Sequence, residues 1–151
     1  MKNIFATILL AISSIAISAQ SIPTYCISMG LTGARNLCGT ATFDGGYVAG
    51  GIVGIGSSQN NFLGKCDGEG NLSWSHQVGS DFTDDFFGII ETSDHFIVAV
   101  GFENGIMCMY KFDKDGTEIW KKNIAVQSSG VLYDIIETSD GNYLLTGYSQ
   151  N

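Results

Sequence analysis

The sequence predicts an all-β fold built from repeated four-stranded antiparallel units, and three observations carry that expectation. The hexapeptide Ile89-Ile90-Glu91-Thr92-Ser93-Asp94 returns unchanged as Ile135-Ile136-Glu137-Thr138-Ser139-Asp140. At the same offset of 46 residues, Lys65, Asp67, Gly70, Trp74 and Gly101 match Lys111, Asp113, Gly116, Trp120 and Gly147. A period of that length marks stacked supersecondary units. The apolar runs are also short, rich in Ile, Val, Phe and Tyr, and closed by Gly and Asp, so strands rather than helices fill each unit.

In chain order, Lys2, the apolar run from Ile4 to Ile17 and the small residues Ser18 and Ala19 read as a secretory signal peptide over 1–19. The run is shorter and more diluted by Ser and Thr than the ~20 apolar residues of a spanning helix. The remaining region, 20–151, has the size of one domain. Tyr25-Cys26-Ile27-Ser28-Met29-Gly30 aligns with Trp74-Ser75-His76-Gln77-Val78-Gly79, which predicts a lone fourth strand over 24–30.

A full unit follows over 37–79. Thr42, Asp44, Val48, Ala49 and Gly51 match Thr92, Asp94, Val98, Ala99 and Gly101, and an insertion of four residues falls near 56–60. The second full unit, 86–126, divides most clearly: strands over 87–92, 96–102, 106–112 and 117–124, with turns between them at Ser93-Asp94-His95, Glu103-Asn104-Gly105 and Asp113-Lys114-Asp115-Gly116. Its run Phe96-Ile97-Val98-Ala99-Val100 is continuous rather than alternating, the pattern of a strand covered on both faces. Residues 131–149 supply only a first and a second strand.

Four strands in about 46 residues make one blade of a β-propeller. The sequence thus holds about 2.75 blades, an incomplete ring, against the four or more that close one. The expectation is a piece of a longer protein or, failing that, self-association of copies to close the ring.

Composition narrows the function classes. Removing Lys2 with the signal peptide takes the formal net charge from -8 to -9 and leaves six Lys and Arg, which argues against a nucleic-acid partner. Four cysteines, Cys26, Cys38, Cys66 and Cys108, permit disulfides in an exported protein, but no close pair among them forms a zinc or redox motif. Cys66 aligns with Phe112 and Cys108 with Phe62, so these two read as small buried hydrophobes rather than a bridge.

Thr42-Phe43-Asp44-Gly45-Gly46-Tyr47 and the stretch from Lys111 through Asp113 and Gly116 to Trp120 resemble the repeats of exported bacterial β-propeller proteins of the Bacteroidetes-like, quinoprotein-like kind. The Gly-x-x-x-Trp segments look like the tryptophan-docking element of such propellers. The resemblance implies an exported, secreted or surface-associated protein, and it leaves function open because these folds host many activities.

Residue by residue, the sequence names no catalytic, cofactor-binding or metal-binding site. Trp74, Trp120 and Tyr25 recur at one position, as aromatics packed on the next unit would. The turns at Asp67 and Asp113 have Val78 and Ile124 where a calcium loop needs its twelfth-position Glu, so they read as hairpin turns. Asp81, Asp84 and Asp85 read as a solvated loop, and His76 and His95 as unpaired histidines. The glycine-rich stretch from Gly50 to Gly56 lacks the Lys and Ser or Thr of a phosphate loop. The sequence therefore points to a non-enzymatic binding or scaffold module for a protein or carbohydrate ligand, held on loops 56–61 and 80–85. A quinone-dependent dehydrogenase and an inert truncation are the alternatives.

Overall fold

The computed structural model describes residues 35–55, 58–79, 84–124 and 129–150. The signal peptide over 1–19, the strand over 24–30 with Tyr25 and Cys26, and the loop residues 56–57, 80–83 and 125–128 lie outside the described residues. Ten strands are described: β1 (Arg35–Ala41), β2 (Tyr47–Ile55), β3 (Ser58–Cys66), β4 (Leu72–Val78), β5 (Asp84–Glu91), β6 (Ile97–Glu103), β7 (Ile106–Phe112), β8 (Glu118–Asn123), β9 (Gly130–Glu137) and β10 (Tyr143–Ser149). They form two four-stranded antiparallel sheets, β1-β2-β3-β4 and β5-β6-β7-β8, and the pair β9-β10. The all-β expectation holds, as does the partition of the second unit into four strands.

The sheets stack face to face. β5 packs on β1, β2 and β3 of the sheet before it, and β9 packs on β5, β6 and β7 in turn. Two apolar layers fill the gaps. Val48, Leu63 and Val78 of the first sheet meet Phe86, Ile89, Ile97, Ala99, Cys108, Tyr110 and Phe112 of the second. On its other face, Val98, Val100, Met107 and Met109 meet Leu132 and Ile135. Successive residues of β6 and β7 point to opposite faces, so Ile97 to Val100 are all buried and the run has no polar member. Cys66 and Cys108 are buried free thiols like the Phe residues they align with, and Cys38 is also free. Burial raises the Cys108 thiol to about 12.

A repeated glycine is explained by the first strand of each unit. β1, β5 and β9 each carry a bulge, between Asn36 and Cys38, Phe86 and Gly88, and Leu132 and Asp134, and Gly51, Gly101 and Gly147 sit opposite. The kinked strand presses its carbonyl into the space a side chain would use: a Cβ at Gly101 would lie 1.8 Å from the Asp85 carbonyl oxygen, and one at Gly147 2.2 Å from that of Val131. Gly101→Ala should therefore destabilise the chain by about 1–3 kcal/mol in urea unfolding, the cost of overpacking at a rigid backbone contact.

Candidate functional site

The hairpin turns that join the first and second strand of each sheet share one construction. The backbone closes from Thr42 N–H to Gly46 O at 2.8 Å, from Thr92 N–H to Phe96 O at 2.8 Å, and from Thr138 N–H to Asn142 O at 2.8 Å. Each threonine hydroxyl donates to the aspartate two residues on: Thr42 to Asp44 at 2.6 Å, Thr92 to Asp94 at 2.5 Å, Thr138 to Asp140 at 2.5 Å. A lysine on the third strand completes two of the three turns. Lys65 pairs with Asp44, and Lys111 reaches Asp94 at 3.3 Å. The Lys65 ammonium, and next the Thr42 hydroxyl, hold Asp44 down at about 2. Asp94 is lowered by the Thr92 hydroxyl and by Lys111, and Asp140 by Thr138 and Asn142.

Neighbouring turns are tied across the gap between sheets by a glutamate. The Phe43 N–H donates to the Glu91 carboxylate, and the Ser93 N–H donates to Glu137 Oε2 at 2.7 Å, with the Ser93 hydroxyl on Oε1 at 3.1 Å. Both glutamates are the last residue of a first strand, where the chain direction aims them back at the preceding sheet. Charge-assisted bonds of this kind are the strong members of their class. Ala41 stands at the equivalent position of β1.

These ties enclose an open groove of about 740 Å³ bordered by Phe43, Glu91, Ser93, His95 and Glu137. Two of its residues break the local rules. Phe43 is 84% exposed at the tip of its turn. His95 occupies the left-handed region, φ 64°, where the other two turns have Gly45 at 84° and Gly141 at 77°. An L-residue there costs on the order of 1–2 kcal/mol that glycine escapes. The strained backbone places the imidazole 4.5 Å from the Phe43 ring and its Nδ1 3.5 Å from Glu91 Oε1. Strain kept at a single copy of a repeated turn points to use. An aromatic plate, two carboxylates and a hydroxyl can hold a polar ligand by stacking and hydrogen bonds.

The other residues singled out in the sequence serve packing. Trp74 Nε1 donates to Lys114 O at 3.1 Å, and the ring covers Gly116 of the next sheet, where a Cβ would lie 2.9 Å from it. His76 stacks on Trp74 at 5.3 Å and Trp120 packs against the second apolar layer. Gly70 and Gly116, at φ 88° and 81°, supply the left-handed residue of hairpin turns whose Asp67 and Asp113 carboxylates accept backbone N–H groups.

One expectation is corrected. Asp84 and Asp85 do not lie in a solvated loop: they open β5, and Asp84 is fully buried, accepting the Asn104 N–H at 3.2 Å. Gly79 leaves it room, since a Cβ there would meet its Oδ2 at 2.5 Å. Burial raises the Asp85 carboxyl against the pull of Arg35. Nearby, the buried Glu103 accepts from Tyr110 and Lys121, and the Tyr110 phenol is held well above its ordinary range, chiefly by its own burial.

Among the described residues no group of three or more His, Cys, Asp and Glu could hold a metal ion, and no helix is long and apolar enough to cross a membrane. No protein-family model matches the chain, and no curated protein sequence matches it.

The groove residues Phe43 and His95 were not legible as a pair, because they come from different repeats and differ from their counterparts. His95→Gly should raise stability by up to about 1 kcal/mol in thermal or urea unfolding, because the turn loses its strained residue. A destabilised variant would mean that the contacts to Phe43 and Glu91 outweigh the strain.

Proposed function

We propose that the stacked sheets are successive blades of a β-propeller in an exported, secreted or surface-associated protein, and that the chain is a non-enzymatic scaffold whose turn rim binds a protein or carbohydrate ligand. The repetition supports the propeller reading: first strands β1, β5 and β9 nest in succession, and each junction carries the same glutamate tie. The groove at Phe43 and His95 is preferred to loops 56–61 and 80–85, because it combines an exposed aromatic with a strained residue found in one turn of three. That single departure from the repeat carries the reading. Sugars and peptides both use aromatic faces rimmed by hydrogen-bonding groups.

The test is a glycan array and a secreted-protein array probed with the labelled full chain. Selective binding is expected, with Phe43→Ala abolishing it while the circular dichroism spectrum and melting temperature stay unchanged. No selective binder, or binders indifferent to Phe43→Ala, would remove the groove as the site.

A further inference from the structure

The second strands β2 and β6 are each bracketed by a first and a third strand, whereas β10 is paired on one side only among the described residues. We propose that the free edge of β10 accepts a further extended strand, antiparallel to it, which carries a lysine opposite Leu144 and apolar side chains at the alternate positions. The register in the other two sheets specifies this partner. Lys65 stands opposite Val48, and Lys111 opposite Val98. Leu144 is the counterpart of Val98, 46 residues on.

Each of those lysines pairs with the aspartate of the adjacent turn, Asp44 or Asp94. Asp140 is the third aspartate of the series. It is bonded by Thr138 and Asn142, and no lysine reaches it among the described residues. The side chains flanking the lysine on its strand also have a receiving surface. In the second sheet, Cys108, Tyr110 and Phe112 of the third strand enter the apolar layer toward the preceding sheet. Beside β10 the corresponding place is an apolar groove of about 270 Å³ between Met107, Ile124, Leu132, Leu145 and Tyr148. On the other face of β10, Leu144 is 55% exposed.

The edge itself is unguarded. Tyr143-Leu144-Leu145-Thr146-Gly147-Tyr148-Ser149 holds neither charge nor proline, the usual devices that keep an edge from pairing. Backbone hydrogen bonds would supply affinity, and the Asp140 carboxylate with the groove would select the sequence. This inference rests on strand register alone and holds whether or not the sheets surround an axis or the Phe43 groove binds a ligand.

The chain's own third strand provides the probe: a fluorescent peptide of residues 105–114, with Cys108→Ser to prevent oxidation, titrated with the full chain and followed by anisotropy. Binding is expected, weakened roughly two- to fivefold by Lys111→Glu in the peptide, the range of an exposed ion pair. In the chain, Asp140→Lys should reverse that preference. Tyr110→Pro in the peptide should abolish binding, because residues 108, 110 and 112 turn their backbone N–H groups to the second strand whereas Met107, Met109 and Lys111 turn theirs to β8. No binding, equal binding of the Lys and Glu peptides, a preference unmoved by Asp140→Lys, or binding that survives the proline would each overturn the proposal. The peptide substitutions leave the protein untouched, so a loss of fold cannot imitate them.

Discussion

The arrangement depends on a backbone N–H at the second residue of the first two turns, Phe43 and Ser93, finding a carboxylate in the next sheet. A hairpin turn spends its internal hydrogen bonds on its own closure, which leaves that amide pointing outward. Glu91 and Glu137 meet it from the end of the following first strand. Each glutamate stands two residues after a buried isoleucine, Ile89 or Ile135, and so lies on the same face of its strand. The tie joins the sheets at the turn between first and second strands, and Trp74 resting on Gly116 joins them along the β4 edge. Between these two points the faces need only be apolar and of matching volume, which is why Phe62 can stand where another unit has Cys108.

The turn chemistry and the stacking are coupled through the same residues. Threonine and aspartate hold the turn rigid, lysine on the third strand neutralises the aspartate, and the rigid turn then presents its amide at a fixed place. An exposed pair such as Lys111 with Asp94 contributes only about 0–1 kcal/mol by itself. Its value lies in orientation; among the described residues the third turn has the aspartate, Asp140, without such a lysine. His95 departs from this economy: it keeps the turn's backbone but at a conformational cost, in exchange for a ring beside Phe43.

Much of the fold could be read from the residues. The 46-residue offset locates every strand of the second unit to within a few residues, and the continuous run at Phe96 to Val100 reports a strand covered on both faces. The exchange of Cys and Phe between units identifies buried thiols. What periodicity does not reveal is the partner. Glu91 and Glu137 stand in the most visible repeat of the chain, yet their acceptor role depends on amides 48 and 44 residues away. Asp84 reads as solvated because charge argues for exposure, while its burial follows from space beside Gly79 and a donor at Asn104, both long-range facts. The groove is hidden for the same reason, since a repeat comparison treats a non-repeated residue as background.

The most direct test of the account is amide hydrogen exchange at three equivalent positions, Phe43, Ser93 and Ser139, measured by NMR under native conditions. The first two amides are bonded to a glutamate of the following sheet, and among the described residues no carboxylate reaches the third. Exchange at Phe43 and Ser93 roughly tenfold or more slower than at Ser139 is predicted, the scale of one charge-assisted hydrogen bond. Equal rates at all three would contradict the claim that a carboxylate tie joins one sheet to the next.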